Sequence, residues 1–258
     1  MTSLDAIILG LLQGVAEFLP ISSSGHLTLT QFILELKEAP LTLNLALHVA
    51  TLIVVMIYFR DRIKKLLFPL NFAYLKAIII CSFPTAIIGL TIKKTGYVLF
   101  TQSHWSAIFL CLNGLFLILL HFKLKSIESE TSSDLHHPPS AKQAFLIGLA
   151  QGIAALPGIS RSGSTIGCSR LLGLPPAFAA EFSLLASLPV IFGAVLLESK
   201  DFVGFSNPGL VALSFGIAIV SGWISVGLLL KIVKKGSWKW WGIYCLVAGV
   251  IYLYLYAG

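Results

Sequence analysis

Four side chains in this chain could do chemistry together: Glu17, Ser23, His26 and Arg161. Glu17 offers a general base or a ligand for a hard cation, and His26 a general acid or base. Arg161 offers a fixed charge that can grip phosphate through two parallel hydrogen bonds. They lie in two stretches that are copies of one another. Gln13–His26 reads Gln-Gly-Val-Ala-Glu-Phe-Leu-Pro-Ile-Ser-Ser-Ser-Gly-His, and Gln151–Ser164, 138 positions later, reads Gln-Gly-Ile-Ala-Ala-Leu-Pro-Gly-Ile-Ser-Arg-Ser-Gly-Ser. Aligning Ala6–Leu27 with Ala144–Thr165 without a gap gives ten identities in 22 positions, Gly10, Gln13, Gly14, Ser22, Ser24 and Gly25 among them. The differences divide the labour. The second copy has Ala155 and Ser164 in place of Glu17 and His26, and gains Arg161 opposite Ser23.

Both copies contain Ser-x-Ser-Gly, at Ser22–Gly25 and Ser160–Gly163. This is N-cap chemistry, and the first turn of a helix presents unpaired N–H groups and the positive end of a dipole. Two such ends, with Arg161 and the hydroxyls of Ser22, Ser23, Ser160, Ser162 and Thr165, describe a phosphate cradle. Gly25 and Gly163 would let the anion reach the backbone. Any one serine alone is better explained as a helix cap; the combination with Arg161 points to phosphate. Gln13 shares a helix face with Glu17 at i,i+4 and is a weak second ligand for a cation. Charge inside a membrane is costly, which singles out Glu181 and Arg170 as well. Those two are expected to form a structural pair. His48 is expected to be a packing residue, and His136-His137 part of a solvated loop.

The elements that must position these groups are membrane helices. The 258 residues are 57% hydrophobic and 11% charged, with mean hydropathy +0.90. Soluble domains carry roughly 25% charged residues. The net charge of +7 comes from short loops between apolar runs, so it reports topology and not nucleic-acid binding. The N-terminus lacks a basic stretch and carries Asp5, so no cleavable signal is expected. Cys81, Cys111, Cys168 and Cys245 have no metal or disulfide spacing and are expected to pack.

The pattern predicts an all-α integral membrane protein forming one domain over 1–258. Its repeat halves are 1–122 and 141–258, joined by a polar linker, 123–140. Ala6–Phe18 is too short to cross about 30 Å of hydrocarbon, and Pro20 stops it. With His26–Leu36 it forms a re-entrant hairpin; Ala144–Leu156 and Ser162–Leu172 form the second. Six crossings are predicted: Leu41–Phe59, Tyr74–Ile92, Trp105–Phe122, Pro176–Leu197, Gly209–Leu230 and Trp240–Tyr256. Kinks are expected at Ser82-Phe83-Pro84 and Ser187-Leu188-Pro189. Tyr58, Tyr74, Trp105, Trp238, Trp240 and Trp241 are expected in interfacial belts. Three crossings between the hairpins is an odd number, so the second hairpin enters from the opposite face, an inverted-topology repeat. Twelve Lys/Arg fall in the loops Arg60–Lys76, Lys123–Lys142 and Lys231–Lys239, against Lys37, Lys93, Lys94 and Lys200 on the other side. That excess places the first set in the cytoplasm and both termini outside.

These residues resemble a known family. Gln13…Glu17-Phe18-Leu19-Pro20-Ile21-Ser22-Ser23-Ser24-Gly25-His26, followed by Pro157-Gly158-Ile159-Ser160-Arg161-Ser162-Gly163-Ser164-Thr165, is similar to the undecaprenyl-diphosphatases linked to bacitracin resistance, over essentially the whole chain. The resemblance implies a bacterial inner-membrane hydrolase that removes the terminal phosphate of undecaprenyl diphosphate, a polyprenyl lipid, and recycles the carrier for peptidoglycan synthesis. It implies a site open to the extracytoplasmic side and a divalent cation, Mg²⁺ or Ca²⁺. Arg161 would hold the diphosphate with Ser160, Ser162 and Thr165. Glu17 would bind the metal or activate a nucleophile, with Ser23, His26 and water all open for that part; His26 would transfer a proton. Many members have Glu where this chain has Gln13, which removes one carboxylate from any metal site. Oligomeric state is left open, a homo-oligomer included. The alternative is a secondary transporter or flippase for an anionic lipid or small anion. Transport needs no proton carrier or nucleophile, so Glu17, Ser23 and His26 favour the hydrolase.

Overall fold

The repeat begins at its caps. In the computed structural model, which describes residues 1–36, 40–95, 103–127, 137–201, 204 and 207–257, Thr2 caps α1 (Ser3–Ala16) in a reciprocal box with Asp5. Ser140 caps α7 (Ala141–Ile153) in the same way with Gln143. Each box satisfies two backbone donors that the helix cannot. Both sit at repeat-equivalent positions. The short second helices, α2 (Ser23–Ile33) and α8 (Arg161–Leu171), also start 138 residues apart, capped by Ser22 and Ser160. They begin earlier than the expected His26 and Ser162 because the serine caps act on the turn that follows them directly.

The remaining helices are α3 (Pro40–Tyr58), α4 (Arg60–Leu67), α5 (Phe72–Thr95), α6 (Ser103–Ile127), α9 (Pro176–Glu198), α10 (Pro208–Lys235) and α11 (Trp238–Ala257). Among the described residues, α5, α6, α9, α10 and α11 are long and apolar enough to cross a membrane. A sixth crossing is obtained if α3 and α4, bent by 69°, count as one. The chain is thus an all-α, multi-span membrane protein.

Helix α4 corrects the reading of Arg60–Lys76 as a loop. Its charges hide an amphipathic period, with Ile63, Leu66 and Leu67 apolar and Leu66 buried. Arg62 on this helix donates from Nε to Glu181 Oε1 at 2.7 Å. Glu181 therefore pairs with Arg62, not with the expected Arg170, which donates to the Leu174 carbonyl at 2.7 Å. Tyr74 and Trp238, expected in interfacial belts, are each 1% exposed and belong to the core; Tyr74 packs edge-on against Phe178 and Phe182. Pro84 and Pro189 lie inside unbroken α5 and α9. All four cysteines are free. Lys37, His136 and the linker residues 128–136 lie outside the described residues.

Small residues let the halves interlock. Ser214 Oγ donates to the Ala6 carbonyl at 2.9 Å, and a Cβ on Gly14 would come within 2.7 Å of Gly222 N. The contacts advance in step, so α1 and α10 run parallel. In the other half Thr85 Oγ1 donates to the Gly148 carbonyl at 2.9 Å and Gly152 meets Ile88, so α7 runs parallel to α5. Each hairpin thus packs on a long helix of the opposite half. The equivalent helices α6 and α11 meet at Gly114 with Gly242 and at Ala107 with Gly249. There the numbers rise in one helix as they fall in the other: the pair is antiparallel.

Candidate active site

Glu17 follows the last residue of α1 and is the hub of a buried cluster. It is 8% exposed, and a carboxylate so placed is tolerable only with partners for its charge and lone pairs. Arg161 Nη2 donates to Oε1. On Oε2, Ser23 Oγ donates at 2.5 Å and Gln13 Nε2 at 3.1 Å, while His48 Nδ1 lies 3.7 Å away. Ser23 and Arg161 are the first residues of α2 and α8. Equivalent positions of the two short helices thus converge on one carboxylate, each bringing the positive end of its helix.

The breaks before these helices are held face to face. Asn113 on α6 donates from Nδ2 to the Pro20 carbonyl and accepts from Ser160 N, both at 3.0 Å. A Cβ on Gly25 would lie 2.9 Å from Gly158 Cα, and one on Gly163 would lie 3.2 Å from Pro20 Cβ. These are one contact seen from each copy. The glycines therefore serve the approach of the two breaks to each other. Ser160 and Ser162 donate to the Leu19 carbonyl at 3.4 and 3.1 Å. Thr165 donates to the Arg161 carbonyl at 2.7 Å and meets Ser183 Oγ. Ser22 accepts from Gly25 N at 3.3 Å. Of the expected site residues, then, Glu17, Ser23, Ser160 and Arg161 line one open space, while Ser22, Gly25, Gly163 and Thr165 lie behind them and Ser162 faces a much smaller hollow beside Glu17 and Arg161.

That space is a cavity of about 410 Å³ between α5 and α9, closed by the Glu17 cluster at one end and reaching Lys93 and Glu198 at the other. The two helices touch near their starts, at Tyr74 and Phe178. Further along they flank the cavity with Ala86, Gly89 and Leu90 on one side and Val190, Gly193 and Ala194 on the other. A Cβ at Gly89 or Gly193 would meet nothing within 4 Å. The cavity is apolar along its walls and polar at its closed end, which is the usual form of a small-ligand site.

His26 is not among the lining residues. It is 5% exposed, with Nδ1 2.8 Å from the Ser22 carbonyl and Nε2 2.8 Å from Tyr244 Oη. The structure brings in four residues that had no expected role in the site, His48 among them, which was expected only to pack. His48 lines the cavity and accepts on Nδ1 from Gln13 Nε2 at 3.3 Å. Gln151, the copy of Gln13, lines it too and donates to Thr85 Oγ1 at 3.1 Å. Asn113 and Tyr244 complete the set. A buried Asn or His in an apolar span is a signal that could have flagged the first and third; nothing local distinguishes Tyr244.

Among the described residues no three His, Cys, Asp or Glu gather as a metal site. Gln13 Oε1, however, is buried and without a hydrogen-bond partner. A lone amide oxygen on the residue that touches Glu17 is a donor suited to a hard cation that completes its shell with water and phosphate oxygens. The residues fit such an ion in that limited sense.

Fold and site define an α-helical membrane protein with a serine–carboxylate–arginine cluster at the end of a largely apolar cavity. Residues 6–251 match the model of the bacitracin resistance protein BacA family, and the chain belongs to that family. It is 38% identical to the undecaprenyl-diphosphatase of Carboxydothermus hydrogenoformans, covering 100% of this chain and 98% of that one. It is 36% identical to that of Treponema denticola over 100% of both, and 35% identical to that of Methanosphaera stadtmanae over 98% and 97%.

Proposed function

We propose that the protein removes the terminal phosphate of undecaprenyl diphosphate, releasing undecaprenyl phosphate for reuse in cell-wall synthesis and, as its family's description implies, conferring bacitracin resistance. The observation that carries the reading is the 2.5 Å hydrogen bond from Ser23 Oγ to Glu17 Oε2 beside Arg161. A hydroxyl donating to a carboxylate is a nucleophile with its base in place. Ser23 attacks the terminal phosphorus while its proton passes to Glu17. The bridging P–O bond breaks, the lipid monophosphate leaves and takes the proton, and water hydrolyses the phosphoserine with Glu17 again as base. Arg161 and the two helix ends neutralise the phosphoryl oxygens, which is most of what phosphoryl transfer asks of a protein. Mg²⁺ or Ca²⁺ would be held by Glu17, Gln13 Oε1 and the diphosphate, and would supply further charge neutralisation. The gap between α5 and α9 gives the prenyl chain a way out to lipid.

The parallel pairing of α1 with α10 and of α7 with α5, and the antiparallel α6–α11 pair, support an inverted repeat. Loop charge supports an orientation with both termini and the Lys93–Glu198 mouth extracytoplasmic, in the inner membrane of a bacterium. The test is phosphate release from undecaprenyl diphosphate by purified protein, with and without EDTA, together with mass spectrometry of Ser23 in an acid-quenched reaction. Phosphate release and phosphorylated Ser23 are expected. Turnover by Ser23→Ala would remove the serine mechanism. Lipid binding without any phosphate release would favour the transporter.

A further inference from the structure

Ser22 is one of two described non-glycine residues with positive φ, at φ 67° and ψ 96°. A side chain makes that region unfavourable, so something must hold it. It directly precedes Ser23, and its conformation sets where the first turn of α2 points. The Ser22 carbonyl takes two hydrogen bonds from His26, from the backbone N at 3.2 Å and from Nδ1 at 2.8 Å. A carbonyl only accepts, so Nδ1 bears the hydrogen, and in the neutral ring Nε2 is left as an acceptor. It faces Tyr244 Oη at 2.8 Å, which donates. The two rings are stacked, with centroids 5.6 Å apart and planes 6° from parallel. Tyr244 lies on α11, far from this hairpin in sequence, and neither ring lines the cavity.

We propose that Tyr244 is a positioning residue for the reaction. Through its hydroxyl and its ring it fixes the tautomer and plane of His26, and His26 in turn holds the strained Ser22 peptide that aims Ser23 at Glu17. His26 is then a brace whose working atom is Nδ1, and it carries no proton to or from the phosphate. The inference rests on the reading of Ser23 as the nucleophile. If Ser23→Ala retains turnover, that reading fails by itself, whatever the variants below show.

The experiment is steady-state phosphate release from undecaprenyl diphosphate by four variants in the full-length protein. Tyr244→Phe keeps the stacked ring and loses one hydrogen bond. Its kcat should fall about three- to tenfold with KM unchanged, the loss a single buried hydrogen bond supports. His26→Asn puts an amide N–H near the place of Nδ1 and nothing at Nε2. It should keep at least tenfold more kcat than His26→Ala. In His26→Asn/Tyr244→Phe the hydroxyl has already lost its acceptor, so the double variant should match His26→Asn, a fully non-additive pair. His26→Asn as inactive as His26→Ala would make His26 a proton carrier and overturn the proposal. So would an unchanged kcat in Tyr244→Phe, or a full Tyr244 effect persisting in the double variant.

Discussion

The two hairpins were built from one pattern and now do different things with it. Ser23 and Arg161 occupy the same place, the first residue after a serine cap, and both reach Glu17. Yet the copy of Glu17 is Ala155, and Gln151 turns its amide to Thr85 in place of a carboxylate. The first hairpin holds the carboxylate and the hydroxyl that donates to it; the second holds the guanidinium and part of the cavity wall. Because the halves interlock, with α1 on α10 and α7 on α5, the duplicated parts can meet at one point. The repeat brings two serine-capped helix starts to one point, where the first hairpin holds Glu17 and the second Arg161.

Two opposed hairpins meeting at one carboxylate require that they enter from opposite faces. With the native cysteines replaced, Lys64→Cys and Lys235→Cys should be labelled only from the cytoplasm and Lys94→Cys only from outside. Labelling of all three from one face would end the inverted repeat. Next in size is Glu17→Gln, which should lower kcat by about 10³-fold or more. Adding Ala155→Glu to it should restore nothing, as expected of the proposed mechanism in which Glu17 alone is the base for Ser23. Recovery of activity there would show that either copy can serve.

Arg161→Lys should stay folded and lose about 10²-fold in kcat, because a point charge cannot reproduce a planar two-pronged contact. Arg161→Ala should lose more. Near-normal turnover in the lysine variant would reduce Arg161 to a counter-charge for Glu17. The smallest effect sharpens the contrast between the two glutamines. Gln13→Glu places a second carboxylate one turn from Glu17, so half-maximal activity should need severalfold less Mg²⁺ or Ca²⁺. Calorimetric titration of the cation without substrate should show the same shift. Gln151→Glu should leave that requirement unchanged. Equal shifts in both variants would mean that the cation sits between the hairpins and does not belong to the first.

What the sequence determined by itself was local. Proline, glycine and serine caps act on their own neighbours, so the breaks after α1 and α7 and the starts of α2 and α8 were legible to within three residues. Hydropathy marked the long spans, since crossing lipid demands length and apolarity of any helix. The i,i+4 rule put Gln13 beside Glu17 before any packing was known. It could not say what stood opposite. His48, Asn113 and Tyr244 come from three spans whose apolar faces are much alike, and the face each turns inward depends on which neighbour it packs against. For the same reason only the tertiary structure turned His26 towards Tyr244, gave Glu181 to Arg62 and drew the glycines of the two breaks into contact. A helix's own periodicity fixes which of its residues share a face; the partner of that face is settled by close packing among all the helices at once.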